Sequence, residues 1–273
     1  MKAKYFINGL LICFTMIAIS SFTRPDPAAP VIKEMTVSYK RIGNVVLKGF
    51  IAYDDNIKGK RPAILVVHEW WGLTEYPKMR VRQLAAMGYF AMAVDLFGNG
   101  KTAANPKEAQ ELAGPFYKDP KIIKTQMDYA LQKVREYPQV DAANIAAIGY
   151  CFGGFVALNY AKMGADLKGV VSFHGGMGGV PVDKKLLKAK ILVCHGASDK
   201  FVAQKDVDAF IHQLDSIGAD PTLKIYANAT HAFTNPVSTE NGKRFNMPIE
   251  YNAAADKESW NDMKLFLTRV LGH

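Results

Sequence analysis

From about residue 33 onward, short apolar runs alternate with amphipathic stretches. Residues 33–40 and 45–53 predict two strands joined by a turn at Ile42-Gly43-Asn44. Pro62 to His68 (PAILVVH) is a continuous apolar run, the pattern of a strand covered on both faces. A helix around 76–87 ends at Gly88, and Tyr89 to Asp95 (YFAMAVD) is the next strand. Lys121 to Tyr137 predicts an amphipathic helix with Ile123, Met127, Ala130, Leu131 and Val134 on its apolar face. A strand at Ile145 to Gly149 precedes a helix at Phe155 to Met163. Strands at 168–173 and 190–196, a helix at 204–216, a strand at Thr222 to Tyr226 and a helix at Asn252 to Leu271 complete the pattern. Strands alternating with helices predict an α/β fold, a mostly parallel central sheet with helices on both faces. No repeat, low-complexity tract or linker interrupts the pattern, so residues 31–273 are expected to form a single domain.

Residues 1–21 stand apart. Lys2 and Lys4 precede an apolar stretch from Ile7 to Ile19, interrupted by Asn8. Small residues Ala18 and Ser20 follow in an A-x-S pattern, then Pro25 and Pro27. This is the layout of a cleavable export signal. The stretch is short of the roughly 20 apolar residues a membrane span needs. The mature protein is therefore expected to be periplasmic or secreted, with an uncleaved N-terminal anchor as the alternative. A lipid anchor at Cys13 is disfavoured, because Ile12 precedes it where a small residue is required. No membrane contact beyond the leader is expected.

Composition narrows the function classes. With 273 residues, 49% hydrophobic and 22% charged, the chain can bury a sizeable core. The net charge of +9 favours anionic partners in general. The lysines are scattered, however, and no basic run is interleaved with aromatics. The charge therefore reads as a solvated surface, and nucleic acid is not an expected partner. Nothing in the sequence fixes an oligomeric state. Removal of the leader leaves two cysteines, Cys151 and Cys194. Export favours pairing them. Their settings oppose it: Cys194 sits in the apolar run from Ile191, and Cys151 in a glycine-flanked turn.

Chemistry in open α/β sheets gathers at the carboxyl ends of the strands. There the sequence places His68-Glu69-Trp70-Trp71-Gly72, Asp95-Leu96-Phe97-Gly98-Asn99, Gly149-Tyr150-Cys151-Phe152-Gly153-Gly154, His174-Gly175-Gly176, His195-Gly196-Ala197-Ser198-Asp199 and Thr230-His231-Ala232-Phe233. Gly149-Tyr150-Cys151-Phe152-Gly153 has the spacing of a nucleophile elbow, with cysteine where serine is usual. Glycines two residues either side of the nucleophile permit the sharp turn from strand to helix. The bland reading is a buried, inert cysteine in a glycine-rich turn. A thiol nucleophile needs a base, and the base an orienting acid. The chain order nucleophile, acid, histidine is met by Cys151, Asp199 and His231. His174 and His195 are rival bases, and Asp206 and Asp208 rival acids on a helical stretch. The oxyanion would be held by the backbone N–H groups of Phe152 and Trp70.

With these residues the chain resembles the dienelactone hydrolase family of the α/β-hydrolase superfamily. The matching segments are His68-Glu69 with Gly72, the cysteine elbow, the His195-Gly196…Asp199 loop and Ala229-Thr230-His231-Ala232-Phe233. The resemblance runs from about residue 33 to the end. It implies that Glu69 is a fourth functional residue, whose carboxylate accepts the thiol's proton or holds the thiol at rest until substrate enters. Two positions depart from the family. Where family members that act on the lactone carboxylate carry arginines, this chain has Asn99 and Asn235. Asparagine cannot supply the bidentate charge of a guanidinium. The expected substrate is therefore an ester or lactone other than the carboxylate-bearing dienelactone.

Trp70, Trp71, Phe97, Phe152 and Phe233 suggest an apolar pocket, with core packing the bland reading for each. Trp71, Phe97, Asn99, Phe233 and Asn235 are the expected substrate contacts. No metal or organic cofactor is expected, since Gly72 stands where a zinc motif would need a second histidine. Two other classes remain open: a non-catalytic binder of small molecules, and a thiol redox protein that uses Cys151.

Overall fold

The alternation of apolar runs becomes one eight-stranded sheet in the computed structural model, which describes residues 29–272. The leader expected at 1–21, and with it the expectation of export, lies outside the described residues. The strands are β1 (Ile32–Ile42), β2 (Val45–Asp54), β3 (Arg61–Val67), β4 (Phe90–Val94), β5 (Val140–Tyr150), β6 (Gly169–Phe173), β7 (Lys190–Gly196) and β8 (Thr222–Tyr226). The helices are α1 (Glu75–Ala86), α2 (Pro106–Lys118), α3 (Pro120–Arg135), α4 (Phe152–Lys162), α5 (Gln204–Ser216), α6 (Ser238–Phe245) and α7 (Ala253–Leu271).

Strand order is β1-β2-β4-β3-β5-β6-β7-β8. The first hairpin joins antiparallel through β2 and β4, and every pairing from β4 to β8 is parallel. Each residue of β3, β4 and β6 is buried, as two-sided cover requires. One face packs Ala113 and Phe116 of α2, Met127 and Val134 of α3, and Val207 and Phe210 of α5. The other packs Val81 and Leu84 of α1, and Met263 and Leu267 of α7. No described helix is long and apolar enough to cross a membrane. The architecture is the α/β-hydrolase sheet that the sequence predicts.

Two helices escape the sequence pattern. α2 is announced by its cap: the Asn105 side chain accepts the Glu108 N–H at 3.0 Å, and Glu108 accepts the Ala104 N–H at 2.9 Å. Its apolar periodicity is interrupted by Gly114 and Pro115, which hides it from a pattern search. α6 (STENGKRF) is polar all round except at Phe245 and carries no helical stripe. A third difference bears on chemistry. α4 starts at Phe152, three residues before the predicted Phe155, so Cys151 is its N-cap residue.

Candidate active site

β5 ends at Tyr150 and α4 begins at Phe152, so Cys151 alone makes the turn between them. Its φ is 54° and ψ −116°, a strained setting for a residue with a side chain. The surrounding contacts hold it there. The Cys151 N–H is shared between the Phe173 carbonyl and His174 Nδ1, each at 3.0 Å. The flanking glycines are steric necessities. A Cβ on Gly149 would stand 2.0 Å from the Gly153 carbonyl oxygen, and one on Gly153 would stand 2.2 Å from the Val67 carbonyl oxygen. Gly153→Ala is therefore expected to cost about 2 kcal/mol through backbone overpacking. A urea-unfolding midpoint unchanged from wild type would contradict this packing.

The loops after β7 and β8 bring Asp199 and His231 to the thiol. His231 Nδ1–H donates to Asp199 Oδ2 at 2.9 Å, and His231 Nε2 lies 3.0 Å from Cys151 Sγ. Asp199 Oδ1 accepts the Phe201 and Val202 N–H groups at 2.8 and 3.0 Å. Burial raises the Asp199 pKa, but the hydrogen bond and charge of His231 and the two amides outweigh it, and the net direction is down. Burial also disfavours charge on His231. The facing Cys151 sulfur and the Asp199 bond overcome that and lift the imidazole to about 10. The ring is thus set to hold both its protons beside the Cys151 sulfur.

The rivals separate on geometry. His174 uses both nitrogens elsewhere. Nδ1 accepts the Cys151 N–H, so Nε2–H must donate to Thr234 Oγ1, at 2.8 Å. Burial holds His174 well below its usual pKa, so it is neutral. Behind it Tyr76 Oη–H donates to Thr234 Oγ1 at 2.7 Å. Arg80 donates to the Thr234 carbonyl at 2.8 Å and pairs with Asp256. His174 therefore braces the elbow and has no nitrogen free for the thiol. The sequence offers it as a rival base or as a histidine that packs or bonds backbone, but not its partners Tyr76 and Thr234, which are 98 and 60 positions away in the chain, a separation no local pattern reports. His195 is buried, its Nδ1 makes no hydrogen bond among the described residues, and burial lowers its pKa. Asp206 and Asp208 are exposed on α5, and Asp208 accepts from Gln204.

Glu69 lies inside, only 3% exposed. Burial raises its carboxyl to about 7, against the hydrogen bond from Asn235 and the charges of His231 and Arg80. Asn235 Nδ2–H donates to Glu69 Oε2 at 2.5 Å. The carboxylate is thus bonded to Asn235, while the thiol is bonded to His231. Neighbouring His68 is neutral and locked: Nδ1–H donates to the Glu69 carbonyl at 2.6 Å, and Nε2 accepts the Leu96 N–H at 3.3 Å. The Phe152 and Trp70 N–H groups donate to no other group among the described residues.

The expected substrate contacts divide. Phe97 packs against Phe152 and His68, with ring centroids 5.7 and 4.7 Å apart. Phe233 is fully buried and backs His174 at 5.3 Å, so it supports the site from below. Asn99 binds the edge of β2: its Oδ1 accepts the Val46 N–H at 2.9 Å, and its own N–H donates to the Val46 carbonyl at 2.6 Å. Trp71 packs edge-on against Trp70 and stacks on Phe245 of α6. Two exposed aromatics join the site that the sequence does not single out. Phe201 lies 5.0 Å from the His231 ring. Tyr117 of α2 packs edge-on against Phe152 at 5.6 Å and tilted against Phe155 at 4.6 Å. The cap of α2 is the signal that leads to Tyr117. Among the described residues no group of three or more His, Cys, Asp or Glu side chains could hold a metal ion.

Comparison with known proteins matches this architecture. The profile of the dienelactone hydrolase family covers residues 47–271. Protein usf of Aquifex pyrophilus is 27% identical over 245 residues, 86% of this chain and 98% of its own. A putative carboxymethylenebutenolidase of Yersinia pestis is 26% identical over 235 residues, 82% of this chain and 84% of its own. Among solved structures, a dienelactone hydrolase-like promiscuous phosphotriesterase from metagenomic libraries superposes with a TM-score of 0.82 at 30% identity, covering 88% of this chain and 98% of that one. The chain belongs to the dienelactone hydrolase family and is a hydrolase of esters or lactones.

Proposed function

We propose that the protein hydrolyses neutral carboxylic esters or lactones through Cys151, His231 and Asp199, by way of a thioester on Cys151. The observation that carries this reading is the unbroken hydrogen-bonded run from Asp199 Oδ2 through both nitrogens of His231 to Cys151 Sγ, at 2.9 and 3.0 Å. In the first half-reaction the sulfur attacks the carbonyl carbon and a C–S bond forms. The Phe152 and Trp70 N–H groups hold the resulting oxyanion. Collapse breaks the bond to the leaving alkoxide, which takes the proton from His231 Nε2. In the second half-reaction His231, oriented by Asp199, takes a proton from water. The hydroxyl adds to the thioester carbonyl, the C–S bond breaks, and the acid leaves with the sulfur restored.

Preference for a neutral substrate follows from Asn235. Its amide is engaged with Glu69, so neither residue offers a cation to a substrate carboxylate. Export through the 1–21 leader is part of the same proposal and is tested by N-terminal sequencing of the secreted chain. The reading itself is tested by steady-state turnover of p-nitrophenyl acetate and of dienelactone, with and without prior alkylation by iodoacetamide. The neutral ester is expected to turn over at least about tenfold faster than the lactone acid, in kcat/KM. Alkylation is expected to abolish both activities. Activity that survives full alkylation of Cys151 rejects the nucleophile. The 30% identical relative acts on phosphotriesters, so a phosphotriester is a second electrophile for the same assay.

A further inference from the structure

A cavity of about 570 Å³ opens between the turn leading into α1 and helix α6. It falls in the size range of small-molecule sites, roughly 300–1,000 Å³. Its lining includes none of Cys151, Asp199 and His231. One wall is aromatic: Trp71 and Phe245 stack with centroids 5.7 Å apart and planes 27° from parallel. Met79 and Val237 extend the apolar surface, and Val237 is half exposed beside it. Arg244 stands at the same wall with its guanidinium 4.9 Å from the Phe245 ring centroid, and makes no ion pair among the described residues. The acidic side chain bordering the cavity, Glu75, is already paired with Lys78 at 2.7 Å and Arg82 at 3.3 Å. The free charge at the cavity is therefore positive.

A stacked aromatic wall with an unpaired guanidinium over its Phe245 ring fits one ligand chemistry, a planar ring that carries an acid group. The ring extends the Trp71–Phe245 stack, and the acid pairs with Arg244. Aliphatic acids would lose the stacking, and neutral aromatics the charge. We propose that this cavity is a second binding site, for planar aromatic carboxylates, separate from the Cys151 site. It is independent of whether Cys151 turns over an ester. Its walls nevertheless touch the site's supports, because Tyr76 bonds Thr234 and Asn235 bonds Glu69.

The test is isothermal titration calorimetry with 2-naphthoate and, as its uncharged counterpart, 2-naphthol at pH 7. The protein is used as wild type, as wild type alkylated at Cys151, and as Arg244→Gln. Arg244 is exposed, so the substitution is expected to fold normally. Saturable naphthoate binding is expected, with a Kd on the order of 0.1 mM. Alkylation is expected to leave it unchanged. Arg244→Gln is expected to weaken naphthoate by about fivefold and naphthol by less than about twofold. Absence of saturable naphthoate binding, equal affinity in Arg244→Gln, or loss of binding on alkylation would each overturn the proposal. The last of these would place the ligand in the catalytic cleft. A failure of ester turnover leaves all three readouts intact, so the two proposals are separately decided.

Discussion

His231→Ala is expected to lower kcat/KM for p-nitrophenyl acetate by about 10,000-fold while leaving the fold in place. The size of the effect rests on the absence of a substitute. His231 is the only imidazole bonded to the Cys151 sulfur among the described residues. His174 spends one nitrogen on the Cys151 N–H and the other on Thr234. His68 spends its two on Glu69 and Leu96. His195 makes no hydrogen bond to the thiol among the described residues. In the proposed mechanism, loss of His231 removes the proton acceptor for water, the donor to the leaving group and the charge that faces the sulfur, all at once. Asp199→Asn is expected to follow at about 1,000-fold, since an amide nitrogen turned toward Nδ1 would favour the wrong tautomer. A folded His231→Ala variant that keeps more than about a tenth of wild-type activity would move the base to another residue.

The second large effect is on stability and its dependence on pH. Glu69 is raised from an ordinary 4.5 to about 7, chiefly by burial. A carboxyl raised on folding contributes stability that is fully present below about pH 4.5 and is lost as pH rises through about 7. Above that, the folded protein carries a buried charge that the unfolded chain solvates. In the Glu69→Gln variant the side-chain amide keeps the shape and can still accept from Asn235, but it does not titrate. Between pH 4 and pH 8.5, Glu69→Gln is therefore expected to gain about 3 kcal/mol of unfolding free energy relative to wild type. Urea unfolding across that range reads the difference directly, because other titrating groups are shared. Parallel pH profiles for the two proteins would contradict the buried-carboxyl account. The cost has a place in the proposed chemistry. Near neutral pH a small change in surroundings flips the charge of Glu69, whose carboxylate interacts with His231.

Much of this is legible in the sequence because the signals are local. Continuous apolar runs such as Pro62 to Val67 mark two-sided strands, and all eight strands are anticipated. The elbow can be read because its glycines answer a steric demand within five residues, from Gly149 to Gly153. Asp199 and His231 follow from chain order, since a parallel sheet delivers successive strand ends to one edge. What the sequence hides depends on distance or on weak periodicity. α2 hides behind Gly114 and Pro115, and with it Tyr117. α6 has too little apolar surface to announce itself, so the Trp71–Phe245 stack is invisible. The role of His174 needs Thr234 and Tyr76 folded against it. Asn99 is expected as a substrate contact from the family's arginine position, and Phe233 from the aromatic set at the strand ends. Position does not reveal that Asn99 is bonded to β2 or that Phe233 is fully buried.

The central claim is that Cys151 forms a covalent acyl intermediate. Intact-protein mass spectrometry after brief mixing with p-nitrophenyl acetate tests it most directly, with Cys151→Ala alongside. The account predicts an adduct of one acetyl group, about 42 Da, on Cys151 of the wild type, with continuing p-nitrophenol release, and neither in the variant. Absence of adduct and of release from reduced wild-type protein, or an adduct that persists in Cys151→Ala, would contradict it.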